Sequence, residues 1–315
     1  MKCFPYLFSF LPCVLGAIRG INIYGLETDL KNCQCSYKNG CEYYMEYNVG
    51  LGFNFFRIPF SAEYVRAGDF SVLDGIIDTA TRLNSTIMLD YHRTFNSHQG
   101  NWYETTLNNF LSIWNVLLLR YFDKPIVQYI DLYNEFQDGQ EKTDFWNQVM
   151  TDTVLSLETQ YPKRYNWVIG GTNWGGNLHG NHIDLPFSNI YYTIHKYEFS
   201  KLDNDYRKDW DFSFGFVPAD RLIVGEFGWK SDQPEQVFWA QHFLAYLKEN
   251  GFHNTIFWTL ALSGDTGGIL RDDCLTLETD KLIMLRNFWD LPARHLRIRM
   301  ADFFIKNNIP NISKE

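Results

Sequence analysis

Short apolar runs and longer amphipathic stretches alternate along most of the chain. The apolar runs fall at 21–24, 53–58, 86–91, 127–133, 167–170, 190–194, 222–225 and 255–260, and they are rich in Ile, Val, Phe and Tyr. Nearly continuous apolar runs of this length are what parallel strands buried on both faces require. Between them apolar residues recur at helical spacing, at 42–50, 72–83, 107–121, 142–160 and 235–248. In 235–248, Val237, Phe238, Gln241, Leu244, Ala245 and Leu247 are read as placing most apolar residues on one side. Eight strands alternating with helices predict an α/β protein with a single closed (β/α)8 barrel, the TIM barrel. No internal repeat, low-complexity tract or linker interrupts it.

Composition agrees with a well-buried core: 45% of the 315 residues are hydrophobic and 21% charged. A net charge of −9 repels phosphate backbones and argues against nucleic acid as a partner. Aromatics reach 17%, with 10 Trp and 19 Tyr, enough to fill a core and still stack on flat sugar faces.

Lys2 followed by apolar residues 3–15 has the pattern of a secretory signal, too short to span a membrane. Residues 1–16 are therefore predicted to be a signal peptide and 17–315 a secreted barrel domain. No other stretch has 18 apolar residues, so no membrane association is expected after the signal is removed. Of the 6 cysteines, removal of the signal leaves Cys33, Cys35, Cys41 and Cys274, an even number suited to disulfides in an oxidising compartment. No second cysteine pair at zinc spacing follows. The sequons at Asn84 and Asn311 fit export.

In a (β/α)8 barrel, active residues belong at the C-terminal ends of the strands. Polar residues collect at those places: Arg57 near the end of the second run, Asp90 to Arg93 at the end of the third, Asn134 and Glu135 after the fourth. Asn173 and Trp174 follow the fifth, His195 to Tyr197 the sixth, Glu226 the seventh, and Trp258 lies in the eighth. One charged residue beyond an apolar strand could serve as a structural ion pair. Two glutamates, two histidines and an arginine on one face point to a site, because charge there is costly unless paired or used. The fourth and seventh strands face each other across the barrel. Glu135 and Glu226 can therefore address one bond from opposite sides, as glycosidic cleavage by an acid and a second carboxylate demands.

At this point the chain resembles glycoside hydrolase family 5, and within it the endo-β-1,4-glucanases, over roughly residues 19–283. The resemblance rests on GINIYGLET (20–28), FRIPF (56–60), LDYHR (89–93), YNEF (133–136), NWGGNL (173–178), IHKY (194–197), GEFG (225–228) and SGDTGGIL (263–270). It implies Glu135 as general acid/base and Glu226 as nucleophile of a retaining double displacement. It also implies Arg57 bonded to Glu226, Asn134 on the substrate 2-hydroxyl, and His92 and His195 binding sugar hydroxyls or orienting carboxylates. Tyr197 is expected beside Glu226, Trp258 as the floor under the cleaved sugar, and Trp174 among the substrate-binding residues. The implied partner is a β-glucan polysaccharide, cut by a monomer without metal or cofactor.

Departures from the family pattern are Phe136 where proline is usual, Cys274 where an aromatic is common, and the cysteine-rich loop 31–41. Beyond residue 288 no resemblance continues, and 293–306 reads as a basic amphipathic helix covering the barrel. Because the first and eighth strands are neighbours, the topology places Cys274 near the first-loop cysteines, and a disulfide between them is expected. Other readings are a β-mannanase or related β-glycanase, and an inactive carbohydrate-binding protein on the same scaffold. A metal-dependent barrel hydrolase would need ligands such as His-x-His at the end of the first strand, and residues 20–24 offer none.

Overall fold

In the computed structural model, eight strands hydrogen-bond in chain order and the last pairs with the first, closing a barrel in which every pairing is parallel. The structure describes residues 16–28, 32–93, 99–181, 183, 185–261 and 266–292. The strands are β1 (Arg19–Asn22), β2 (Phe55–Ser61), β3 (Thr86–Arg93), β4 (Val127–Asp131), β5 (Asn166–Gly170), β6 (Ile190–Lys196), β7 (Leu222–Phe227) and β8 (Thr255–Phe257). The helices are α1 (Cys41–Leu51), α2 (Ala62–Ala67), α3 (Ser71–Leu83), α4 (Leu107–Arg120), α5 (Thr143–Gln160), α6 (Tyr206–Trp210), α7 (Pro234–Glu249) and α8 (Thr279–Phe288).

All eight expected strands are present, as are the five expected helices that fall within the described residues, with shifted ends. β2, β3, β6 and β7 run further than their apolar runs, because ladder pairing carries them through polar residues. β4 and β8 stop early, and the chain beyond them turns to shape the site. Local signals account for the helix starts: Ser61 and Thr106 accept backbone N–H groups at the starts of α2 and α4, and Pro234 opens α7. One expectation fails inside α7. Phe238 and Ala245 are exposed, and the buried side is instead Gln236, Trp239, Ala240, Phe243, Leu244, Tyr246 and Leu247. The bulk of Trp239 and Phe243, four residues apart, sets which stripe faces the strands.

The barrel interior changes character along its axis. The first inward positions form an apolar plug of Ile18, Phe55, Met88, Tyr129, Val168, Ile223 and Ile256. Side chains alternate across a strand, so the next inward positions lie two residues on. These are Arg57, Asp90, Asp131, Gly170, Gly225 and Trp258.

Two disulfides, Cys33–Cys41 and Cys35–Cys274, tie the loop after β1 to itself and to the loop after β8, as the adjacency of β1 and β8 requires. Among the described residues no helix is long and apolar enough to cross a membrane. The signal segment (apart from Gly16), the helix expected at 293–306, and residues 263–265 of SGDTGGIL lie outside the described residues.

Candidate active site

Arg57 is the hub. It is fully buried in the barrel, where an unpaired cation is not tolerated. Its guanidinium is surrounded: Nε donates to Asp131 at 2.9 Å, and Nη1 to Asn22 at 3.0 Å and Glu226 at 2.6 Å. Nη2 donates to Asn134 at 2.9 Å and lies 3.1 Å from Asp90. Burial alone would lower the arginine's pKa, but three carboxylates outweigh it and the net shift is upward. Asp90 and Asp131 are each pushed up to about 6 by burial, with Arg57 opposing.

Glu226 reaches this hub through a break in strand alternation. Counted from the inward Ile223, residue 226 would face outward. Register shifts between β6 and β7 and between β7 and β8 re-aim it, pairing His195 with Glu226. Its two oxygens then receive different donors: Arg57 Nη1 on Oε1 and the Tyr197 hydroxyl, at 2.9 Å, on Oε2. Tyr197 is held far above its ordinary pKa by burial and by the neighbouring glutamates, so its hydroxyl keeps its proton to donate.

Glu135 stands just past β4 with φ of 41°, a left-handed conformation that costs a non-glycine residue energy and recurs at functional sites. The turn is laced to neighbouring loops by Gln137 N–H to Gly100 O at 3.1 Å and Trp174 N–H to Phe136 O at 2.8 Å. Phe136 has a packing role. Its buried ring stacks on Trp146 at 4.3 Å, anchoring the turn on α5. Gln99 donates to Glu135 Oε2. Burial pushes the Glu135 carboxyl up to about 7, against the pull of Arg57 and Gln99.

His195 joins the two acids. Its Nδ1 lies 3.0 Å from Glu135 Oε1 and 3.7 Å from Glu226 Oε1. The ring fits between glycines: a Cβ at Gly175 would come within 3.3 Å of it, and one at Gly225 within 3.1 Å of its Nε2. One carboxylate oxygen of Glu135, one of Glu226 and one ring nitrogen of His195 all lie within 4.8 Å of one another. Carboxylate oxygens brought this close suit the roughly 5–5.5 Å carboxyl separation of direct attack better than the roughly 6.5–9.5 Å that admits an intervening water. The same three residues are the grouping that could be imagined around a metal. A cation there would meet the Arg57 guanidinium on Glu226, so the donor set suits sugar hydroxyls better.

The remaining expected residues also converge. His92 lies 2.6 Å from Asp90 through Nδ1 and 3.5 Å from Asn134 Nδ2 through Nε2, and burial lowers its pKa to about 3. It is a neutral ring that positions Asn134. Asn134, 1% exposed, is held by Arg57 and His92 on its two amide atoms. Trp258 stacks on His92 at 5.5 Å and on Tyr24 at 5.6 Å. Trp174, 48% exposed, stands at the rim on the Glu135 side. Asp90, Asp131, Asn22 and Gln99 were not among the expected site residues. The signal for the aspartates was available: a carboxylate inside an otherwise apolar strand demands a buried cation.

Comparison with known proteins agrees with this geometry. The sequence model Cellulase (glycosyl hydrolase family 5) matches residues 18–263. The chain belongs to glycosyl hydrolase family 5. This family 5 enzyme, a glycoside hydrolase of the cellulase type, is 26% identical to the major extracellular endoglucanase of Xanthomonas campestris pv. campestris, over 86% of this chain and 67% of the relative. It is 27% identical to an endoglucanase of Paenibacillus polymyxa, over 85% of this chain and 82% of the relative. In fold it is similar to an endocellulase of Pyrococcus horikoshii crystallised with cellotetraose, with a TM-score of 0.78 and 23% identity over 87% of this chain and 92% of that one. The catalytic domain of the Xanthomonas enzyme superposes with a TM-score of 0.77 at 24% identity, over 88% and 95% of the two chains.

Proposed function

We propose that this enzyme cuts β-1,4-linked glucan internally, with retention of anomeric configuration, outside the cell. The observation that carries the reading is the 4.8 Å grouping of Glu135, His195 and Glu226 at the barrel mouth. In the first step Glu226 attacks the anomeric carbon while Glu135, protonated through its raised pKa, gives its proton to the leaving oxygen. The glycosyl–Glu226 ester is then hydrolysed by a water that the Glu135 carboxylate deprotonates. Arg57 and Tyr197 hold both oxygens of the nucleophile, Asn134 offers its amide to the sugar, and Trp258 lies under the ring that is cleaved. Trp174, on the Glu135 side, stacks against the leaving portion of the polymer. The endoglucanase relatives and the cellotetraose complex favour a β-glucan chain. The two disulfides and an extracellular relative support export, for which residues 1–16 have the signal pattern.

Carboxymethyl-cellulose, lichenan and mannan, each followed by reducing ends and by the anomer first released, test the reading. The expected result is rapid loss of carboxymethyl-cellulose viscosity with the β-anomer formed first. Turnover of mannan alone would reassign the substrate, and the α-anomer first would overturn the mechanism.

A further inference from the structure

His195 has a buried side that the proposed mechanism does not use. Its Nδ1 faces the two glutamates, but Nε2 is buried and has no protein hydrogen-bond partner among the described residues. Thr193, the preceding inward residue of β6, is 2% exposed, and its Oγ1 likewise has no protein partner. The two atoms converge on one point. A Cβ placed on Gly225 would lie 2.2 Å from Thr193 Oγ1 and 3.1 Å from His195 Nε2. The Thr193 methyl points the other way, 3.6 Å from a Cβ built on Gly170. A buried hydroxyl without a partner costs energy that valine, of nearly the same shape, would not. Its presence under a histidine calls for a role.

A neutral imidazole has one N–H and one lone pair. With carboxylate oxygens in front of Nδ1, the proton belongs on Nδ1, and Nε2 then needs a donor. We propose that Thr193 is a positioning residue whose hydroxyl donates to His195 Nε2 across one bridging water, and so fixes the tautomer that presents Nδ1–H to Glu135 and Glu226. The inference rests on the proposed roles of those two glutamates. The charged and titratable groups facing His195 are Glu226 from β7, Glu135 after β4, Asp131 from β4, Asp90 from β3 and Arg57 from β2, with Tyr197 following it in the chain. The uncharged Thr193 hydroxyl faces the same Gly225 position as His195 Nε2.

Nitrogen-15 NMR of the His195 ring in the intact enzyme reads the tautomer without substrate. Protonation at Nδ1 in wild type is expected, and protonation at Nε2 overturns the proposal. Thr193→Val is expected to lose the Nδ1–H tautomer, to lower kcat about tenfold, and to move the upper limb of the pH–kcat/KM profile to higher pH. That limb moves because Glu135 loses a donor to its charged form. Thr193→Ser, which keeps the hydroxyl, restores all three. An unchanged tautomer and pH profile in Thr193→Val overturns the proposal. Because the NMR readout does not depend on turnover, failure of wild type to cut any glucan would reject the proposed function while leaving the tautomer question decided separately.

Discussion

Two layers inside one barrel, built on the same strands only two residues apart, do opposite work. The lower layer, with Phe55, Met88, Tyr129, Val168, Ile223 and Ile256, is uncharged and fills the barrel with side chains of which only the Tyr129 hydroxyl needs a polar partner. The layer above it replaces Phe55 with Arg57, Met88 with Asp90 and Tyr129 with Asp131, and each of these is fully buried. Burial of so many charges is tolerated because Arg57 meets Asp90, Asp131 and Glu226 at 3.1 Å or less. The apolar layer contributes stability. The polar one holds Glu226, Asn134 and the histidines in place at an energetic cost that the rest of the fold offsets.

The contrast is breakable. The largest effect is expected from Glu226→Gln, which keeps the volume and removes the attacking carboxylate. It should lower kcat at least about 10⁴-fold with little change in Tm, and an active Glu226→Gln would end the two-glutamate mechanism. In the lower layer, Ile256→Ala should cost about 2–5 kcal/mol of stability while leaving kcat within a few-fold at temperatures where the variant stays folded. Thermal melts paired with initial rates would show whether the layers are as separable as the geometry implies.

The double replacement Cys35→Ser, Cys274→Ser opens a loop of sequence separation 239 and should lower stability by about 2–4 kcal/mol, read as an earlier denaturation midpoint. If the bridge pins a cleft wall, KM for polymer should rise more than kcat falls.

The smallest effect sharpens the contrast. Burial lifts Glu135 from an ordinary 4.5 to about 7 in the folded protein. A group raised in this way contributes stability that is complete below its unfolded pKa and lost as pH rises through the folded one. Glutamine has no such loss, so Glu135→Gln should melt above wild type at pH 8 and level with it at pH 4. Its activity should be poor throughout, and wild-type kcat/KM should fall as pH rises through about 7.

Several parts of the site were legible before any coordinates because they need only position along the chain. Arg57 lies near the end of an apolar run long enough to be a buried strand, Glu135, His195, Tyr197 and Glu226 each follow one, and a barrel sends all such ends to one face. Asp90 and Asp131 were harder to read. Each lies within or at the end of an apolar run, and its meaning depends on Arg57, which is 33 or more positions away in sequence. The buried stripe of α7 differs from the expected one at Phe238 and Ala245, because an amphipathic pattern containing several large residues allows more than one stripe and only packing selects between them.

The sequence by itself determined the number of strands, their order, the face on which chemistry collects, and the identity of the two acids, since burial and periodicity are local properties of the chain. Tertiary structure alone decided how those acids meet. Closure of β8 on β1 set the Cys35–Cys274 bridge. The register shift at His195 and Glu226 turned the Glu226 carboxylate inward. The left-handed turn at Glu135 brought its carboxyl to the same His195 nitrogen. These are long-range constraints on backbone register and desolvated charge, and no short stretch of sequence contains them.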